Sequence, residues 1–280
     1  MPELPEVETI RRDLEHLSGR TITRARIAPN ADRILRGASP DAFARRVRRR
    51  RIDDIARRGK YLLFHLSNRD GDPSVYLAVH LRMSGSLSHC RPDGDCGPYT
   101  RAVLSLDDGT ELRYSDLRKF GQLWVVDRPE DVVGALGPEP LSDDFTADRL
   151  HESLMKRRAP VKAVLLDQRV IAGTGNIYAD EALFAARLHP QRQASTLSAD
   201  EARRLHRAIR RVLRDAIGNR GSSFRDYVDG AGREGSHQLK VKVFRRTGKE
   251  CYVCGAEIAR IKVGGRSTHF CPHCQPVEDR

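Results

Sequence analysis

The chain has 280 residues, more than one ordinary core needs, so two domains are the first expectation. Its 50 Lys and Arg against 38 Asp and Glu leave a net charge of +12, a surplus heavy in arginine that points to nucleic acid or an anionic membrane surface. No run of about 18 apolar residues could span a bilayer, and the acidic N-terminus lacks the apolar core of a signal peptide, which sets the membrane aside.

Leu4, Val7, Ile10, Leu14 and Leu17 recur at three- and four-residue spacing and predict a first helix, with Glu3, Glu6 and Glu8 where the helix dipole favours negative charge. After Gly19 the pattern turns to short β-rich runs at Thr21–Ile27, Tyr61–Leu66, Val75–Leu81, Ala102–Leu106, Glu111–Tyr114 and Gln122–Val126. Turn clusters such as Asp107-Asp108-Gly109 separate them, as in a sandwich or barrel. The charge-dense run Arg45–Arg51 reads as a solvated face. A Gly/Pro/Asp-rich stretch around Pro138–Asp144 suggests a linker. Beyond it helices are expected at Ala147–Lys156, Pro160–Leu166, Asn176–Ala186 and Ala199–Ile217, and a glycine-rich loop runs from Gly218 to His237.

Four of the six cysteines form two C-x2-C pairs, Cys251/Cys254 and Cys271/Cys274, with sixteen residues between the pairs. Each pair can bite one metal from a tight turn, and the residues between them form a hairpin. The spacing predicts one structural zinc per chain, because four thiolates fill a tetrahedral shell and leave no open position. Cys90 and Cys96 stand apart and read as surface thiols in a loop. Gly173-Thr174-Gly175-Asn176 joins two expected helices, and the second helix would offer its N-terminus to a phosphate. Met1-Pro2 invites removal of the initiator methionine, which would expose a secondary amine. An α-amino group titrates near 8, roughly, so part of it is unprotonated and nucleophilic at neutral pH.

Met-Pro-Glu-Leu-Pro-Glu-Val-Glu-Thr at 1–9 resembles the start of the formamidopyrimidine-DNA glycosylase family. The resemblance continues through Arg57-Arg58-Gly59-Lys60-Tyr61, His80-Leu81-Arg82-Met83-Ser84-Gly85, Asp116-Leu117-Arg118-Lys119-Phe120-Gly121, Gly173–Ala179 and the four cysteines. It covers nearly the whole chain in the family's order.

The resemblance implies an α+β multidomain protein: an N-terminal β-sandwich with flanking helices, and a C-terminal helix–two-turn–helix domain with a zinc-bound β-hairpin. The domains implied are a catalytic sandwich over 1–135, a linker over 136–145, a helical domain with a lesion-capping loop over 146–240, and the zinc finger over 241–280. The implied activity is excision of oxidised purines (8-oxoguanine, formamidopyrimidines) from double-stranded DNA, followed by strand nicking through β,δ-elimination. By the same resemblance Pro2 would form a Schiff base at C1′, Glu3 would donate the proton that opens the sugar, and Glu6 would support the site. Lys60 would contact phosphates and assist elimination. Arg266, counted with Pro2, Glu3 and Lys60 among the catalytic residues, would grip phosphates flanking the lesion. Asn176 and Arg157 would also contact DNA. Met83, Arg118 and Phe120 would fill the gap left by the extruded base. Tyr99 stands where family members often carry a histidine. The expected partner is duplex DNA with oxidised bases or abasic sites, bound by a monomer in the bacterial cytoplasm at the nucleoid. Leu4, and the filled Met83/Arg118/Phe120 set, argue against the pyrimidine-preferring endonuclease VIII type. A non-catalytic, zinc-stabilised DNA-binding protein is the alternative from another class, and Pro2, Glu3 and Lys60 speak against it.

Overall fold

The computed structural model describes residues 1–68, 73–92, 96–224 and 227–277. The chain divides into two compact units, Met1–Ala135 with Asn219–Ser236, and Leu136–Gly218 with His237–Arg280.

The first unit opens with helix α1 (Leu4–Leu14), whose Leu4, Val7, Ile10 and Leu14 are buried on one face. Strands β1 (Ile22–Ile27), β6 (Thr100–Leu106), β7 (Glu111–Asp116) and β5 (Gly85–Cys90) form one antiparallel sheet in the order β1-β6-β7-β5. Strands β2 (Arg51–Arg58), β3 (Tyr61–Ser67), β4 (Val75–His80) and β8 (Gln122–Val126) form the other, in that order. Residues of α1 and of both sheets share one continuous core, as a sandwich requires. Helix α2 (Pro40–Val47) lies between β1 and β2, and a single turn, α3 (Glu130–Val133), follows β8.

Three elements here differ from the sequence expectation. The run at 45–51 is the end of α2 and the start of β2. Ser39 caps α2 by accepting from Ala42 N–H, and Phe43 and Val47, four residues apart, are buried. Part of the arginine run is therefore structural: Arg46 donates to Val125 O, and Arg50 donates to Arg46 O and Pro73 O. A bulge between Ile52 and Asp54 lets Ile52 and Ile55 both face the core, which breaks the two-residue period that marks a strand. Strand β5 escapes notice because only Leu87 of its Gly-Ser-Leu-Ser-His-Cys sequence belongs to the core. Cys90 thus ends a strand instead of lying in a loop, and Cys96 accepts from Arg26 at 3.6 Å.

The second unit holds α4 (Ala147–Met155), α5 (Val161–Leu166), α6 (Asn176–Ala186), α7 (Ala199–Gly218) and the hairpin of β9 (Ala259–Val263) and β10 (Arg266–Phe270). The stretch expected as a linker packs onto this unit. Phe145 is buried, Gly137 N–H donates to Gln168 O at 2.8 Å, and Arg210 donates to the carbonyls of Pro140 and Ser142. The loop expected within 146–240 folds, over 219–236, with the first unit instead. Arg220 bridges Asp13 of α1 and Asp229, and Tyr227 Oη donates to Glu6 O at 3.4 Å. No helix among the described residues is long and apolar enough to cross a membrane.

Candidate active site and nucleic-acid interface

In the first unit the chain start is fixed from beneath. Pro2 and Glu3 are buried, and Glu3 is the N-cap of α1. Its backbone N–H donates to Glu6 Oε2 at 2.8 Å in a capping box. The other Glu6 oxygen accepts from Ser222 N–H at 2.8 Å, so one carboxylate holds both the N-terminus and the 219–236 loop. Gly221 makes this approach possible: its φ is +77°, and a Cβ there would fall 2.8 Å from Glu6 Oε1.

Lys60 occupies the two-residue connection between β2 and β3 and is only 6% exposed. The same turn is tied to α1, because Arg57 donates to Glu8 Oε2 at 3.1 Å and to Gly59 O at 3.2 Å. Burial pushes the Glu8 carboxyl up, but Arg12, Arg57 and Arg11 outweigh it and hold the group below the usual carboxylate range. His80, at the end of β4, is forced the other way. Burial first, then the charges of Arg82 and Lys60, push its imidazole down to about 3. It stays neutral at working pH, and its Nδ1 accepts from Arg82 N–H at 3.0 Å.

Met83 and Phe120 are large apolar side chains left 43% and 53% exposed, one on the β4–β5 turn and one on the β7–β8 loop. Arg118, on the same loop as Phe120, reaches Met83, its guanidinium 3.7 Å from Met83 Sδ. Both loops hang from Asp116, which is fully buried. Its Oδ1 accepts from Ser84 Oγ at 2.6 Å and Arg118 N–H at 3.1 Å, and its Oδ2 from Gly121 N–H at 2.7 Å and Tyr114 Oη at 3.1 Å. Gly121 is obligatory, since a Cβ would lie 1.5 Å from Tyr114 Oη. Tyr99, just before β6, is 49% exposed, and its carbonyl accepts from Asp116 N–H. The expected wedge residues are thus brought together on a rigid base.

The second unit assembles the rest. The four cysteine sulfurs all lie within 4.8 Å of one another, with Cys254–Cys271 and Cys254–Cys274 at 3.5 Å and Cys251–Cys274 at 3.9 Å. A tetrahedron with metal–sulfur bonds of ~2.3 Å has edges of about 3.8 Å, so the cluster can hold a metal ion as it stands. Arg266 opens β10 with an exposed side chain. The next residue is clamped twice: Ser267 O accepts from Asn176 Nδ2 at 3.0 Å and from Lys162 Nζ at 2.9 Å. Lys162 is fully buried and also meets Asp180 Oδ1 at 2.6 Å and Thr268 Oγ1 at 2.7 Å. Asn176 starts α6, beside the buried Thr174 hydroxyl, which has no hydrogen-bond partner among the described residues. Arg157 follows α4, and its guanidinium donates to Ser153 O at 2.6 Å.

Asp116, Lys162, Asp180 and Glu181 were not singled out by sequence reasoning. Glu181 accepts from the N–H groups of Lys242, Val243 and Phe244, which orders the approach to the cysteines. Lys162, Asp180 and Glu181 are charged residues inside apolar stretches, and Asp116 stands among polar ones; in each case the role becomes readable only when the partner is known.

Comparison with known proteins matches this geometry. Models of the formamidopyrimidine-DNA glycosylase N-terminal domain, of its H2TH domain, and of the zinc finger found in FPG and IleRS match residues 1–123, 136–228 and 248–277. The formamidopyrimidine-DNA glycosylase of Heliobacterium modesticaldum is 49% identical over 98% of this chain and 100% of its own length. That of Symbiobacterium thermophilum is 47% identical over 100% and 90%. A Lactococcus lactis FPG variant in complex with a Fapy-dG-containing DNA superimposes with a TM-score of 0.89 at 35% identity, covering 99% of this chain and 100% of that one. The complex between the Lactococcus lactis Fpg and an abasic-site DNA gives 0.89 at 35% identity, covering 98% and 100%. With a sandwich that holds an N-terminal proline over a capped helix, a four-cysteine hairpin and these matches along its length, the chain belongs to the formamidopyrimidine-DNA glycosylase family.

Proposed function

We propose that this chain excises oxidised purines from duplex DNA and then nicks the strand, with Pro2 as nucleophile. The observation that carries the residue assignment is the double use of Glu6, which fixes the backbone of Glu3, and with it Pro2, beneath the loop at Ser222. Loss of Met1 frees the Pro2 amine. It attacks C1′ of the lesion nucleotide, the bond to the base breaks, and an iminium joins protein and sugar. Glu3 supplies the proton that lets the sugar ring oxygen leave C1′. Abstraction of a C2′ proton then expels the 3′ phosphate, and a second elimination expels the 5′ phosphate. Lys60 and Arg266 steady the phosphates during both eliminations.

Arg157, Asn176 and the helix N-terminus that Asn176 begins are further phosphate contacts. Met83, Arg118 and Phe120 occupy the space of the extruded base, and Tyr99 lies against the backbone nearby. Zinc is the metal that suits four thiolates at these distances; bound there, it supplies folding energy to the hairpin and no chemistry. The setting implied is a monomer at the nucleoid of a bacterial cytoplasm; the relatives named are bacterial.

Borohydride trapping on a duplex with one 8-oxoguanine tests the nucleophile. The expected result is a covalent adduct that peptide mapping places at Pro2 of a chain lacking Met1. Glu3→Gln should still bind the lesion while base release falls by ~100-fold or more, the scale of a lost general acid. An adduct at Lys60 with Pro2 unmodified would overturn the assignment.

A further inference from the structure

Helix α7 carries six arginines, at 203, 204, 207, 210, 211 and 214, in twenty residues. Leu205, Ala208, Ile209 and Leu213 face the core, so the remaining arginines are sorted by the helical period onto one exposed stripe. Their roles differ. Arg210 is spent on the carbonyls of Pro140 and Ser142, and Arg203 pairs with Asp200. Arg204 meets Glu201 only at 4.0 Å. Arg207, Arg211 and Arg214 are exposed and make no hydrogen bond or ion pair among the described residues. With Arg204 they line a groove of about 570 Å³ whose floor is Ala185 and Ala208.

Such a stripe costs stability by itself. Arg207 and Arg211 are four apart and Arg211 and Arg214 three apart, like-charge spacings that destabilise a helix. Helix α1 shows the ordinary solution, with Glu8 and Glu15 interleaved among Arg11 and Arg12 and paired to them. On α7 six arginines face three acidic residues, Asp200, Glu201 and Asp215; Asp200 pairs with Arg203 and Glu201 meets Arg204 at 4.0 Å, and no ion pair reaches Arg207, Arg211 or Arg214 among the described residues. The distance from Arg207 to Arg214 along the axis is about 10 Å, from a rise of 1.5 Å per residue, enough to follow about three consecutive phosphates of one strand at ~3.4 Å of helix axis each.

This stripe is remote, within its unit, from the residues assigned to lesion DNA. Asn176 begins α6 whereas Ala185 stands near its end, about 14 Å away along the helix axis. We propose that the exposed face of α7 is a second DNA contact, engaging the phosphate backbone of an undamaged duplex while Asn176 and Arg266 hold the lesion strand. It rests on the reading of Asn176 and Arg266 as phosphate contacts. Its consequence is direct hand-over between duplex segments, in which an incoming duplex docks on α7 before the first is released.

The test uses the full metal-loaded chain and a labelled short duplex with an abasic-site analogue, chased with unlabelled undamaged duplex. The dissociation rate should rise with chase concentration, and native mass spectrometry at low salt should find two duplexes on one chain. Arg207→Glu, Arg211→Glu and Arg214→Glu together should make the rate independent of chase and abolish the second duplex. Affinity for the short lesion duplex should stay within about twofold, and the salt slope for the second duplex in the parent should be about 2.7, at ~0.9 per phosphate. The triple lysine variant should restore the effect, since point charges suffice. Chase dependence surviving charge reversal, absence of a second duplex on the parent, or an equal loss of short-duplex affinity would each overturn the proposal. Failure of the underlying reading shows separately, as an unchanged short-duplex affinity in Asn176→Ala and Arg266→Ala.

Discussion

Two regions of this chain carry the exposed side chains that we propose meet DNA, and they are made rigid by different means. In the first unit, Met83, Arg118 and Phe120 sit on loops hung from one buried carboxylate, Asp116, through hydrogen bonds to two hydroxyls and two backbone amides. In the second unit, Arg266 sits on a two-stranded hairpin held by a four-sulfur cluster and by the buried Lys162–Asp180 pair. The first device is intrinsic to the sandwich and needs only its own core. The second belongs to an element too small to bury a core of its own: Val243, Cys251, Ile258 and Cys271 cluster against Phe184 of α6, a residue from outside the hairpin. The difference teaches that the two halves of one function can fail independently.

The sharpest way to separate them is to remove the metal. Cys271→Ser should forfeit most of the binding energy of a structural zinc, of order 10 kcal/mol, and unfold the hairpin. Elemental analysis should then show sub-stoichiometric zinc and lesion binding should collapse, while the first unit keeps its thermal transition. Loss of both transitions together would show that the two devices are not separate.

Asp116→Ala attacks the other device. It strands four donors in the core, and at about 1 kcal/mol for each lost bond and more for those left unsatisfied, the first unit should lose about 3–5 kcal/mol. Urea unfolding should register the loss with zinc content unchanged. Asp116→Asn, which keeps shape and part of the acceptor set, should cost about half as much.

The smallest effect is a pH dependence confined to the first unit. His80 has a folded value pushed down to about 3 against an ordinary 6.5. A lowered histidine contributes stability that is present above 6.5 and is lost as pH falls towards 3, because the unfolded chain takes up the proton first. Between pH 6.5 and pH 5 the loss should be about 1.5 kcal/mol, at ~1.4 kcal/mol per unit once the unfolded form is protonated. Denaturation at the two pH values checks it, and His80→Gln should remove most of that slope.

Much of this was legible in the sequence where a local period or spacing dictates the structure. Helix α6 begins and ends at Asn176 and Ala186 as its apolar pattern predicts, and the two C-x2-C pairs converge as their spacing predicts. What was not legible depends on contacts distant in the chain. Strand β2 hides because its bulge disrupts the alternation, and β5 hides because small residues fill it. The loop at 219–236 joins the first unit through Arg220 and Asp13, 207 residues apart, a pairing with no local signature. Phe120 shows the same limit: no local pattern marks it, the family resemblance alone singles it out, and only the fold shows it exposed.

The carbonyl of Ser267 has a consequence beyond its geometry. A peptide oxygen has two lone pairs, and here Lys162 takes one and Asn176 the other. The peptide between Ser267 and Thr268 is therefore saturated at its oxygen, with no capacity left for water, one residue beyond Arg266. Arg266 and Asn176 are parts of a single tool, and natural selection cannot adjust one without re-fitting the other. The hairpin's freedom to vary lies in its outward side chains, and the joint that aims them is closed to gradual change.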